Sequence, residues 1–229
     1  MGNESLIMSP HTYHYSNCAN AYIAPLSIEE QISILQIIFP NLNTKVNSHP
    51  RYSNLPQFAE GWFAVPKWES IARTYAEAVA RIYEVMNKME GKFSFTAKIL
   101  PNLRCFPHSQ QLLSQFYLHQ STSDLIVLPA QFGLQYAGMS AYNARDAMVE
   151  YEFGLGAFVI GAMLLTHSNR ITLSDLKVVC AGDECGEFGL LEEYACIPIV
   201  VRKNSDVKLL TASCVDAEWN YSTPSAFLI

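Results

Sequence analysis

The 229 residues suit one large domain or two small ones, and a chain of this length needs neither disulfide nor metal to fold. A net charge of −6 without any basic cluster excludes the electrostatics that a nucleic acid or an anionic membrane surface demands. Only 16% of the residues are charged, yet 12 Phe, 12 Tyr and 3 Trp are present, a balance that fits a large core and equally a face that docks a protein partner.

Residues 1–26 show no periodicity and contain Pro10 and Pro25, so they read as an irregular arm ahead of a single globular domain, 27–229. His11 and His14 lie in that arm, where no helix brings them together, and read as a chance pair. The arm has neither a basic nor an apolar leader segment, which predicts a cytoplasmic protein whose six cysteines are free thiols.

A helix opens at Ser27, because Ser27 and Glu30 stand at capping-box spacing, and Ile28, Ile32, Leu35 and Phe39 follow at helical intervals up to Pro40. Residues 40–65 read as a long connection. From Pro66 to Glu90 the pattern predicts the strongest helix, with Ile71, Tyr75, Val79, Ile82 and Met86 on one face and Arg73, Glu77, Arg81, Glu84 and Lys88 on the other. The alternation in Phe93–Ile99 predicts a half-buried strand. Pro107–Gln120 predicts a helix that turns Leu112, Leu113 and Phe116 inward, and Asp124–Leu128 a short buried strand closed by Pro129.

Ser140 caps a further helix from Ala141, running to Thr166 or breaking near Gly154–Gly156. The uncharged stretch Phe153–Leu165 is only 13 residues long, short of the about 20 needed to span a bilayer, and reads as a core helix. Its glycines predict close approach by another element. Leu176–Ala181, Ile197–Arg202 and Val207–Cys214 read as strands, the last two joined as an antiparallel hairpin through Lys203–Asp206. The expected fold class is α+β, with helices packed on a small mixed, largely antiparallel sheet formed mainly by the C-terminal third.

Two segments carry candidate chemistry. Asp183 and Glu184 follow a predicted strand and begin an acidic run through Glu187, Glu192 and Glu193, fit to receive a basic partner or to serve as acid and base. Arg104, Cys105 and His108 gather a cation, a thiol and an imidazole just ahead of a helix; in the structural reading, Arg104 pairs with a carboxylate and His108 caps the helix. Cys180 and Cys185 form one loose pair without a second, so no metal and no cofactor are expected. Phosphate-binding glycine loops, the paired-histidine zinc motif and a serine nucleophile elbow are all missing.

The sequence thus points to a non-catalytic adaptor or accessory subunit, docking through aromatic side chains while Asp183, Glu184, Glu187, Glu192 and Glu193 steer a basic partner. Its alternative is a small hydrolase or transferase whose pocket combines Asp183, Glu184, Arg104 and His108, with Cys105 as candidate nucleophile.

Overall fold

The computed structural model describes residues 24–45, 54–90, 93–95, 100–171, 177–186, 196–203 and 206–228. Most of the arm, with His11 and His14, lies outside them.

Ser27 opens helix α1 (Ile28–Ile38) through the expected capping box, its Oγ accepting from the Glu30 amide while the Glu30 carboxylate accepts from the Ser27 amide. Inside α1 the buried positions are Ile28, Leu35 and one polar residue, Gln31. Gln31 serves the edge of strand β1 (Gly61–Pro66) that has no neighbouring strand among the described residues: its Nε2 donates to the Trp62 carbonyl at 2.9 Å and its Oε1 accepts from the Ala64 amide at 2.9 Å. A glutamine amide carries a donor and an acceptor at the spacing of a strand's own backbone, so it replaces a missing neighbour. Gln31→Leu should therefore cost about 2–4 kcal/mol, because two buried backbone groups lose their partners. A urea unfolding midpoint within error of the parent would overturn this.

β1 falls within the stretch that reads as a connection, and Pro66 ends it instead of starting a helix. The strand holds because Phe63, Ala64 and Val65 are buried, and because β1 is an edge strand, where a proline is tolerated. A 3-10 turn at Trp68–Ser70 follows, and the expected helix begins later, as α2 (Tyr75–Glu90). Its two faces are as patterned: Val79, Ile82 and Met86 are buried, while Glu77, Arg81, Glu84 and Lys88 are exposed.

Strand β2 (Phe93–Phe95) and strand β3 (Leu103–Cys105) lead to helix α3 (Pro107–His119), which buries Leu112, Leu113 and Phe116. Strand β4 (Leu125–Gln131) is buried along its whole length and runs through Pro129 instead of stopping there. It pairs with β1 on one side and with strand β11 (Ser225–Phe227) on the other, where the pairing covers only Ala130 and Gln131. Pro129 thus removes no ladder bond. One step further back, Gln120 closes the gap, donating to the Val127 carbonyl at 2.9 Å and accepting from its amide at 2.8 Å.

Ser140 caps helix α4 (Ala141–Ala147), accepting from the Asn143 amide at 3.1 Å. The chain then breaks, forms strand β5 (Glu152–Gly154) and resumes as helix α5 (Ala157–Thr166). Every residue of α5 is buried. No helix among the described residues is long and apolar enough to cross a membrane.

The fold is α+β, with strands concentrated in the C-terminal part, and it has two sheets. The four-stranded one, in the order β1-β4-β11-β5, is antiparallel throughout. The seven-stranded one is mixed. It contains β2, β3, β6 (Lys177–Val179), β7 (Asp183–Cys185), β8 (Cys196–Lys203), β9 (Asp206–Ser213) and β10 (Tyr221–Ser222). Its longest pairing is the expected hairpin β8–β9, closed at Lys203 and Asp206. Its parallel pairings are β2 with β9 and β10 with β6.

Helix α5 packs on α2 and on β1. At Gly161 an added Cβ would lie 2.6 Å from Ile82 Cγ2, so the missing side chain sets the approach of α2. Gly154 and Gly182 bring two backbones together: an added Cβ at Gly154 would lie 2.8 Å from the Ala181 carbonyl carbon, and one at Gly182 would lie 2.3 Å from the Gly154 carbonyl oxygen. The glycines in this stretch mark close approaches, as the sequence indicates.

Candidate functional site

The two segments singled out in the sequence are neighbours. β3 and β7 pair antiparallel, with Arg104 opposite Glu184 and Cys105 opposite Asp183. Side chains opposite each other across such a pair share a face, and the faces alternate. Arg104 and Glu184 therefore turn outward together, and Cys105 and Asp183 turn inward.

On the outer face, Arg104 donates from Nε and Nη2 to Glu184 Oε2, at 3.1 and 3.0 Å. Arg145 of α4 approaches the other oxygen at 3.9 Å. Arg145 also braces the turn ahead of β7, donating to the Ala181 and Asp183 carbonyls at 2.7 Å each, while its guanidinium lies 4.0 Å over the Phe106 ring. Burial pulls its pKa below the usual arginine value.

On the inner face, Asp183 is fully buried. Tyr75 Oη donates to its Oδ1 at 2.6 Å, and the Ala157 amide donates to its Oδ2 at 2.6 Å. Ala157 is the first residue of α5, so the Asp183 carboxyl caps the buried helix whose own N-cap, Gly156, has no side chain. Burial lifts the Asp183 carboxyl to about 7 against the pull of these donors and of Arg145, and burial likewise raises the Tyr75 hydroxyl. The Cys105 thiol is 3.4 Å from the Gly182 carbonyl and is pushed up by burial, with the Asp183 charge adding to the effect, so it is held as a thiol.

The four side chains Asp183, Glu184, Arg104 and His108 do not form one pocket. Asp183 is sealed behind Tyr75, Arg104 and Glu184 engage each other, and His108 points its Nε2 toward the Glu152 carbonyl at 3.4 Å. Nor does His108 cap α3. Phe106 holds the N-cap position with no side-chain bond and Pro107 stands first in the helix, where a missing amide proton costs nothing, so His108 already lies inside it. Glu187, Glu192 and Glu193 lie outside the described residues. Cys185 stands opposite Cys196 across β7 and β8, and Cys105, Cys180, Cys185, Cys196 and Cys214 are in no disulfide among the described residues. Among the described residues, no three His, Cys, Asp or Glu side chains gather as metal ligands.

Three features lay beyond the motifs. The first is a cavity of about 200 Å³ beside β3, lined by Trp68, Glu69, Tyr75, Arg104, Cys105 and Tyr117 among others. The second is a buried polar chain between β4, β5 and β11: Gln131 Nε2 donates to Ser225 Oγ at 2.9 Å, Ser225 donates to Glu152, and Tyr136 Oη donates to Glu152 Oε2 at 2.6 Å. It satisfies a carboxylate that the sheet buries.

The third is a surface. The Tyr142 amide donates to the Cys214 carbonyl at 3.0 Å and the Gly138 amide to the Tyr221 carbonyl at 2.9 Å, which lays residues 138–142 alongside 214–221. Met139, Tyr142, Val149, Tyr151, Val215 and Trp219 are exposed on these and adjoining residues. Asp146, Glu150 and Asp216 are exposed with them. Within 138–151 and 214–221 the only basic residue is Arg145, which is turned onto the Ala181 and Asp183 carbonyls. The composition signalled many aromatics, but their placement depends on pairing between distant segments. No family model, no curated protein and no solved structure matches this chain.

Proposed function

We propose that this chain works through protein contacts, as an adaptor or accessory subunit, and that residues 138–151 with 214–221 form the face that docks a basic, apolar segment of its partner. The observation that carries this reading is the exposure of Tyr142, Val215 and Trp219, at 63, 66 and 69%, on adjoining segments. Large apolar side chains exposed to water are a standing cost that docking removes, and aromatic residues dominate such contacts. The carboxylates of Asp146, Glu150 and Asp216 favour a partner carrying lysine or arginine around its apolar anchors.

The steering charge of this reading therefore belongs to this face in preference to Asp183 and Glu184. Asp183 is buried and Glu184 is engaged by arginines, so neither is available to a partner's cations.

The test is the native mass of tagged chain purified gently from its own host. A co-purified subunit in fixed ratio is expected, bound more weakly as salt rises. The double substitution Tyr142→Ala with Trp219→Ala should release it while the melting temperature stays within about 3 °C, since both side chains are exposed. Retention of the subunit by that variant would sink the assignment of the face. A homodimer built on this face would replace the basic partner with a second copy.

A further inference from the structure

We infer that the cavity beside β3 binds a small organic cation, an alkylammonium or quaternary ammonium group. Its volume of about 200 Å³ lies below the roughly 300–1,000 Å³ of sites for drug-sized ligands, so the occupant is a headgroup in size. Trp68 and Tyr75 line it with their rings edge to face, centroids 6.2 Å apart and planes at 88°. Aromatic rings at a right angle, with Tyr117 also on the lining, are the surroundings in which a desolvated cation is held by the negative faces of the rings.

The charges agree. Arg104 and Glu69 are the charged side chains that line the cavity. Arg104 is engaged by Glu184, its cross-strand neighbour. Glu69 has no cation within ion-pair distance among the described residues. Lys67 stands near it in sequence, but its Nζ is donated to the Gln120 and Tyr117 carbonyls, at 2.8 and 3.4 Å. The cavity thus presents one carboxylate outside any ion pair, on which Lys67 acts only at longer range, and partial burial holds that carboxyl above its usual range. A second group points the same way: Tyr117 Oη is buried without a hydrogen-bond partner, and a ligand bearing a hydroxyl beside its ammonium group would satisfy it. Lys67 Nζ lies 5.8 Å from the centroid of the Tyr117 ring, so the ligand's cation belongs to the Trp68–Tyr75 corner.

The experiment is a calorimetric titration of the full chain with choline, with its neutral isostere 3,3-dimethylbutan-1-ol, and with acetate. Choline should bind at least about tenfold more tightly than the isostere, the difference being the charge alone. Glu69→Gln, a change at an exposed side chain, should weaken choline by about fivefold or more and leave the isostere and the melting temperature unchanged. Equal binding of choline and the isostere, preference for acetate, or no heat from choline at about 100 times the concentration expected of a weak headgroup site would each overturn the inference.

Discussion

Asp183→Ala is expected to lower folding stability by about 3–5 kcal/mol, measured by urea unfolding near neutral pH. The substitution removes the acceptor for Tyr75 Oη and for the Ala157 amide, both inside the core, and leaves a void where α5 begins. Asp183→Asn should cost far less, about 1 kcal/mol, because its oxygen still accepts from the Ala157 amide and the Tyr75 hydroxyl can turn to accept from its nitrogen. The pair of variants also reports the titration. Burial holds the folded carboxyl at about 7, above its ordinary 3.8. The folded state therefore binds this proton more tightly than the unfolded one, so the contribution is complete below the ordinary value and is lost as pH rises toward about 7. Within that window the parent should lose up to about 1.4 kcal/mol per pH unit from this group, and Asp183→Asn should not. Parallel stability profiles for parent and Asp183→Asn between about pH 4 and pH 8 would contradict the assignment.

Gly182→Ala should be at least as damaging, about 4 kcal/mol or more, up to failure to fold. The added Cβ would meet the Gly154 oxygen at 2.3 Å, the Gly156 nitrogen at 2.4 Å and the Leu155 carbonyl carbon at 2.6 Å. All three are backbone atoms at the junction of β5 with α5, so relief requires moving that junction. Such movement strains the bond from the Gly182 amide to the Leu155 carbonyl and the bond from the Phe106 amide to the Gly182 carbonyl, 2.9 and 2.8 Å long. Gly161→Ala is the control. There the clash is with one side-chain methyl, Ile82 Cγ2 at 2.6 Å, so α2 must shift slightly to admit it, and about 1 kcal/mol of helix propensity offsets part of that cost. Equal unfolding midpoints for the two alanine variants would show that the close approach at Gly182 is not what holds this region.

The local elements were readable from the sequence because their causes are local. The box of Ser27 with Glu30, the Ser140 cap, the two faces of α2 and the β8–β9 hairpin each depend on residues within one turn or one loop. β1 and β5 were hidden for the opposite reason. β1 is a strand because residues 125–130 pair with it, and β5 interrupts a helical pattern because β11 lies beside it. Gln31 and Gln120 show the same limit: nothing in their neighbours marks them as substitutes for a missing strand.

At the site, the sequence picked out both halves, Arg104–Cys105 and Asp183–Glu184, without showing that they face each other. Charge pattern suggested an acid–base role for Asp183, whereas its surroundings make it the cap of α5. That role depends on Tyr75, Gly156 and Ala157, none within 25 residues of it in the chain. His108 resembled a partner for Cys105 by proximity in sequence, and the helix that begins between them separates their surroundings.

The position of β11 has a consequence for synthesis. This strand lies between β4 and β5 in the four-stranded sheet, although it is the last of the described strands to be made. During translation β4 is complete while its neighbour on that side does not yet exist, and α5 waits with an apolar surface on every side. Closing the loop of more than 90 residues between Gln131 and Ser225 carries an entropy cost that only those late contacts offset. A nascent chain of this protein therefore passes through a long interval with an open strand edge and an uncovered core helix, the condition in which chains recruit holding chaperones or aggregate.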